Sequence, residues 1–144
     1  MIATGEPEEA RAACAELERI CAGFDSELLR AHLAEMRGAI ALAAGEASGA
    51  LGELRRAFQA WQELEAPYEA ARTRLLVGRA CREVGDDDAF TLELQAARET
   101  FEQLGAAGDV AAVDALTGAQ APPSVSRRRA CERCSERAAR PCAG

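Results

Sequence analysis

Apolar residues recur along this chain at steps of three and four, the spacing of one face of an α-helix. Leu29, Leu33, Met36 and Ile40 form one such run and predict a helix over about 26–44. Gly45 follows as a residue able to end that helix with positive φ. A second stripe, Leu51, Leu54, Phe58 and Trp61, has Ala50, Ala57 and Leu64 beside it and predicts a helix over about 46–64. Pro67 suits the first turn of the next helix, where a missing N–H leaves no intrahelical bond unmade. That helix, about 67–84, carries Tyr68, Ala71, Leu75 and Gly78 on one side, with Leu76, Ala80 and Val84 next to them. Gly85 ends it, and Asp86, Asp87 and Asp88 favour the N-terminus of a following helix through its dipole. Phe90, Leu94, Ala97, Phe101 and Leu104 line that fourth helix, and a weaker, shorter one covers about 109–116.

Offsetting the chain by 40 residues aligns its punctuation. Gly5-Glu6 falls on Gly45-Glu46 and Gly85-Asp86, and Gly38 falls on Gly78 and Gly118. Leu54 falls on Leu94, Ala57 on Ala97 and Trp61 on Phe101. Phe24, Leu64 and Leu104 share a phase, as do Ala31, Ala71 and Ala111, and Met36, Leu76 and Leu116. Each unit reads as a helical hairpin that stacks on its neighbours to bury a shared face. Gly38 and Gly78 are the small residues expected where the two helices of a unit approach. Residues 8–24 align with second helices, so the array is expected to start and end within a repeat, leaving Leu17, Cys21 and Phe24 uncovered. The fold class is therefore all-α: antiparallel helical hairpins, about five helices, in one helical-repeat domain over 1–118.

The positions Gly38, Gly45, Ala50, Leu54 and Ala57, repeated as Gly78, Gly85, Phe90, Leu94 and Ala97, resemble the spacing of tetratricopeptide-like repeats. The stretches Arg55–Arg72 and Gly78–Asp86 are similar to the helical-repeat region upstream of the DNA-binding domain in LuxR-type transcriptional regulators of high-GC actinobacteria. The resemblance covers roughly residues 3–117. It implies a right-handed solenoid and a regulatory role through binding of a protein partner or effector. Where the family carries a helix-turn-helix, this chain has Ser124-Val125-Ser126-Arg127-Arg128-Arg129 and a Cys-rich end, without the apolar pattern of a recognition helix. The family's DNA-contacting residues therefore have no counterparts here. Nor does any phosphate-binding Gly-x-x-x-x-Gly-Lys-Ser/Thr segment occur, since the chain has no lysine.

Composition supports the helical reading and limits the partners. Alanine dominates the 144 residues, while aromatics make up only 4%; alanine is the strongest helix former. Residues 1–118 carry 11 Arg against 22 acids, a net −11, whereas residues 119–144 carry 6 Arg against 2 acids, a net +4. The acidic body repels phosphate, so specific nucleic-acid binding is not expected. Pro122-Pro123 marks the change, and residues 119–144 read as a disordered, basic, Cys-rich tail. No apolar run reaches the roughly 20 residues of a membrane span, and the N-terminus lacks a secretory signal pattern. The chain is expected to be cytoplasmic.

Candidate chemistry is sparse. Cys14 and Cys21 share a helical stripe with Leu17 and Phe24, and Cys81 takes the place of Ala41; all three read as small buried hydrophobes. Two helical turns separate Cys14 from Cys21 by roughly 10 Å, too far for a disulfide. Cys131, Cys134 and Cys142 include a Cys-x-x-Cys, but three thiols without a histidine fall short of a structural zinc set. His32, the single histidine, has no nucleophile in a recognisable setting. Asp86-Asp87-Asp88 lacks the alternate spacing of a calcium loop. Trp61, Phe58 and Phe101 fit a core by their spacing better than a ligand pocket. No catalytic, cofactor-binding or metal residue is assigned. The function expected is a non-enzymatic interaction module that binds a protein partner or itself through its helical-repeat faces. The alternatives are a metal- or thiol-responsive protein using the Cys-rich tail, and a truncated gene product without independent function.

Overall fold

The computed structural model describes residues 7–118. They form six helices: α1 Pro7–Gly23, α2 Glu27–Ala43, α3 Ala47–Glu63, α4 Pro67–Glu83, α5 Asp87–Gln103 and α6 Ala107–Gly118. That is one more than the repeat pattern counts. The last helix begins two residues earlier than its apolar spacing suggests and ends two later. The disorder expected of residues 119–144, and the domain boundary placed before them, lie outside the described residues.

Helix starts fall every 20 residues, at positions 7, 27, 47, 67, 87 and 107. Each unit of 40 is thus two half-units of one design. Four of the five joints close alike. Gly45, Glu65, Gly85 and Gly105 take positive φ values of 80°, 51°, 88° and 71°. At the first of these joints the Gly45 N–H donates to the Leu42 carbonyl at 3.1 Å and the Glu46 N–H to the Ala41 carbonyl at 2.9 Å. This paired bonding satisfies carbonyls that the helix end leaves open. The residue after the positive-φ position then accepts the first bond of the next helix, as Glu46 does from Ala50 and Asp86 from Phe90. One residue closes one helix and opens the next, so the joints are too short for anything but an antiparallel return. The α1–α2 joint differs: the chain leaves α1 at Gly23, and Ser26 caps α2 through its side chain.

Helices pack on their chain neighbours, with α2/α3 and α4/α5 as the closest pairs. In each pair a glycine admits a leucine: Gly38 faces Leu54, and Gly78 faces Leu94. The stripes Ala50, Leu54, Ala57, Trp61 on α3 and Phe90, Leu94, Ala97, Phe101 on α5 are buried along their whole length. Three clusters continue the core along the stack. Leu42, Leu54 and Cys81 join α2, α3 and α4 in one, and Ala31, Trp61 and Ala70 join the same helices in another. Ala71, Phe101 and Val113 join α4, α5 and α6. Burial at this density, worth about 1.5–3 kcal/mol for each large apolar side chain, holds α2 to α5 together.

The array loosens toward α1. Cys14 is its only buried residue. Leu17 and Cys21 are half-buried and Phe24 is 69% exposed, against 1% for Trp61 at the register position of Cys21. The Arg37 guanidinium clamps α1 to α2 by donating to Glu18 from Nε at 2.9 Å and Nη2 at 2.7 Å. At the other end Arg98 ties α5 to α6 through Asp114 at 2.7 Å.

Candidate functional site

The first helices of two successive units, α2 and α4, border an open groove of about 600 Å³. Its lining follows directly from the repeat. His32, Met36 and Ala39 on α2 stand 40 positions before Arg72, Leu76 and Arg79 on α4, so both helices turn the same face to it. Within each set the steps are four and three, one helical face. Leu42, Met36 and Leu76 make the groove partly apolar, while Glu35, Glu69 and the arginines make it polar.

Trp61 supports the α2 wall from behind. Its indole N–H donates to the Glu35 carboxylate at 3.2 Å. The His32 ring meets the indole edge-on, centroids 4.7 Å apart. Two groove residues are thereby oriented by a core side chain, at little cost in side-chain entropy on binding. The arginines of α4 divide into two sets. Arg74 lies over Phe58 and Arg82 over Phe90, each 4.6 Å from the ring centroid, and Arg74 also donates to Glu93 at 3.2 Å. Arg72 and Arg79 are exposed into the groove and pair with no carboxylate among the described residues.

The other residues weighed from sequence have structural settings. Cys14, Cys21 and Cys81 are free thiols. Burial pushes the Cys14 and Cys81 thiols above their ordinary range, with Glu18 adding to the first and Asp86 to the second; both are poor nucleophiles at neutral pH. Asp86 is the N-cap of α5, its Oδ1 accepting from the Ala89 N–H at 2.9 Å, and Asp87 and Asp88 form the exposed first turn. Trp61 and Phe101 belong to the core, whereas Phe58 is half-buried beneath Arg74. His32 lies on the groove wall. Cys131, Cys134 and Cys142 lie outside the described residues.

Among the described residues no group of three His, Cys, Asp or Glu side chains could hold a metal ion, and no helix is long and apolar enough to cross a membrane. Sequence reasoning did not single out Arg72 and Arg79. The signal was present, because the shared phase of Met36 and Leu76 places His32 beside Arg72 and Ala39 beside Arg79 in the same register. No family model matches the chain, and no curated protein or solved structure does.

Proposed function

We propose that this chain is a non-enzymatic, cytoplasmic interaction module whose α2/α4 groove receives a segment of a protein partner. The observation that carries the reading is the groove's construction. The α3 and α5 stripes are spent on the core, while His32, Met36, Arg72 and Arg79 share one open face backed by packed helices. Such a face combines apolar contact area with a few polar groups at fixed positions, the make-up of a binding cleft. The resemblance to the repeat region of LuxR-type regulators supports a regulatory partner, with the chain supplying the interaction part of such a system. The acidic body supports a protein over a nucleic acid or an anionic membrane.

A random-sequence peptide array probed with the full chain tests this. Ala43 is exposed on the groove rim, so Ala43→Tyr should obstruct the groove without touching the core. Peptides that bind the wild type and not Ala43→Tyr, at unchanged helicity, are the expected result. An array with no binders, or binders indifferent to Ala43→Tyr, would overturn the reading.

A further inference from the structure

The charge of the described helices is unevenly placed. From Asp86 to Asp114 the chain carries Asp86, Asp87, Asp88, Glu93, Glu99, Glu102, Asp109 and Asp114 against Arg98 alone. Helix α4 is the exception, with four arginines against Glu69 and Glu83. Arg74 and Arg82 are engaged by Phe58, Phe90 and Glu93, which leaves Arg72 and Arg79. Two carboxylates share the groove with them. Glu35 keeps its charge but is turned to the buried Trp61 indole, and neither it nor Glu69 pairs with Arg72 or Arg79. An arginine pair kept out of ion pairing, in a body where acids outnumber bases two to one, is the groove's most specific chemical feature.

We propose that the occupant of the groove is an acidic peptide segment, with two carboxylate side chains three residues apart and an apolar residue between them. The spacing comes from the helix. Arg72 and Arg79 lie seven residues apart on α4, a rise of roughly 10 Å at 1.5 Å per residue. A polyproline-type segment repeats its face every three residues and advances about 9 Å in doing so. Its first and fourth side chains can each reach one guanidinium, where a carboxylate is bound by paired N–H donors. A side chain between them is turned about 120° from that face and meets Met36 on the opposite wall of the groove. A basic segment would face both guanidinium groups unpaired. This inference rests on the groove being the binding surface.

Fluorescence anisotropy with three labelled peptides tests it on the full chain. Each is end-blocked and identical except for a central Glu-Pro-Leu-Glu, Gln-Pro-Leu-Gln or Lys-Pro-Leu-Lys. The Glu peptide should bind at least tenfold tighter than the Gln peptide, and added salt should weaken it. Arg72→Gln with Arg79→Gln should bring the Glu peptide to the level of the Gln peptide. Arg55→Gln, at an exposed site on α3, should change nothing. Equal binding of the Glu and Gln peptides, preference for the Lys peptide, or no binding of the Glu peptide overturns the proposal. If the Gln or Lys peptide binds and Ala43→Tyr abolishes it, the groove reading stands and only the acidic preference fails.

Discussion

Gly38 on α2 receives the Leu54 side chain of α3 so closely that a Cβ on Gly38 would stand 2.5 Å from Leu54 Cγ and 3.3 Å from its backbone N. Leu54 is fully buried, and the obstructing atom is the branch point of its side chain, not a flexible tip. Gly38→Ala should therefore destabilise the protein by about 1–2 kcal/mol, an overpacking loss of about 1–3 kcal/mol partly offset by the better helix propensity of alanine. Gly52, on the same α3 helix, has open space where its Cβ would stand. Gly52→Ala should stabilise by up to about 1 kcal/mol. Urea denaturation of the two variants compares them, and equal effects would mean that α2 and α3 do not approach in this way.

Glu65 holds a φ of 51° at the position taken by Gly45, Gly85 and Gly105 in the other joints. A residue with a Cβ pays roughly 1–2 kcal/mol for that conformation, while glycine costs about 0.5–1 kcal/mol more chain entropy. Glu65→Gly should raise stability by about 0.5–1 kcal/mol. Gly85→Ala should lower it. Thermal unfolding followed by circular dichroism reads both, and opposite signs are expected.

Trp61 is 1% exposed and joins α2, α3 and α4. Trp61→Ala should cost about 3–5 kcal/mol, a large share of the roughly 5–15 kcal/mol available to a natural domain. Arg55→Ala, at an exposed position on the same helix, should stay within about 0.5 kcal/mol of wild type. Denaturant midpoints of the pair check which face of α3 is buried.

The Arg98 guanidinium holds the Asp114 carboxyl below its ordinary range, chiefly through the hydrogen bond between them. A carboxyl with a lowered folded-state pKa binds its proton less readily in the folded chain than in the unfolded one. The contribution of this bridge to docking α6 is thus complete above the ordinary carboxylate value of about 4 and is lost as pH falls through the lower folded value. Carbon-detected NMR titration of Asp114 should show the lowered midpoint, and Arg98→Gln should return it toward the ordinary range. Both partners face solvent, so salt should shrink the effect.

The hairpins were legible because glycine and large apolar residues repeat every 40 positions, and both close approaches, Gly38 to Leu54 and Gly78 to Leu94, lie at that period. The 20-residue half-period was hidden by residue 65, where glutamate stands in the role of glycine. Phe24, expected from its register to be uncovered, is exposed, whereas Leu17 and Cys21 of the same stripe are half-buried against the rest of the array. The groove was half legible. The register of Met36 and Leu76 showed which residues share a face, but only the structure separates Arg72 and Arg79 from Arg74 and Arg82. That division depends on Phe58, Phe90 and Glu93, which lie on other helices.

Methyl NMR of the full chain gives the most direct test of the groove as the binding surface. The chain has two methionines, Met1 and Met36, and Met36 lines the groove. With both methyl groups labelled with carbon-13, titration of the Glu-Pro-Leu-Glu peptide should shift the Met36 signal in proportion to occupancy. The Met1 signal should stay in place. Ala43→Tyr should suppress the shift. A saturating interaction that leaves the Met36 methyl unmoved would contradict the groove as the site of partner binding.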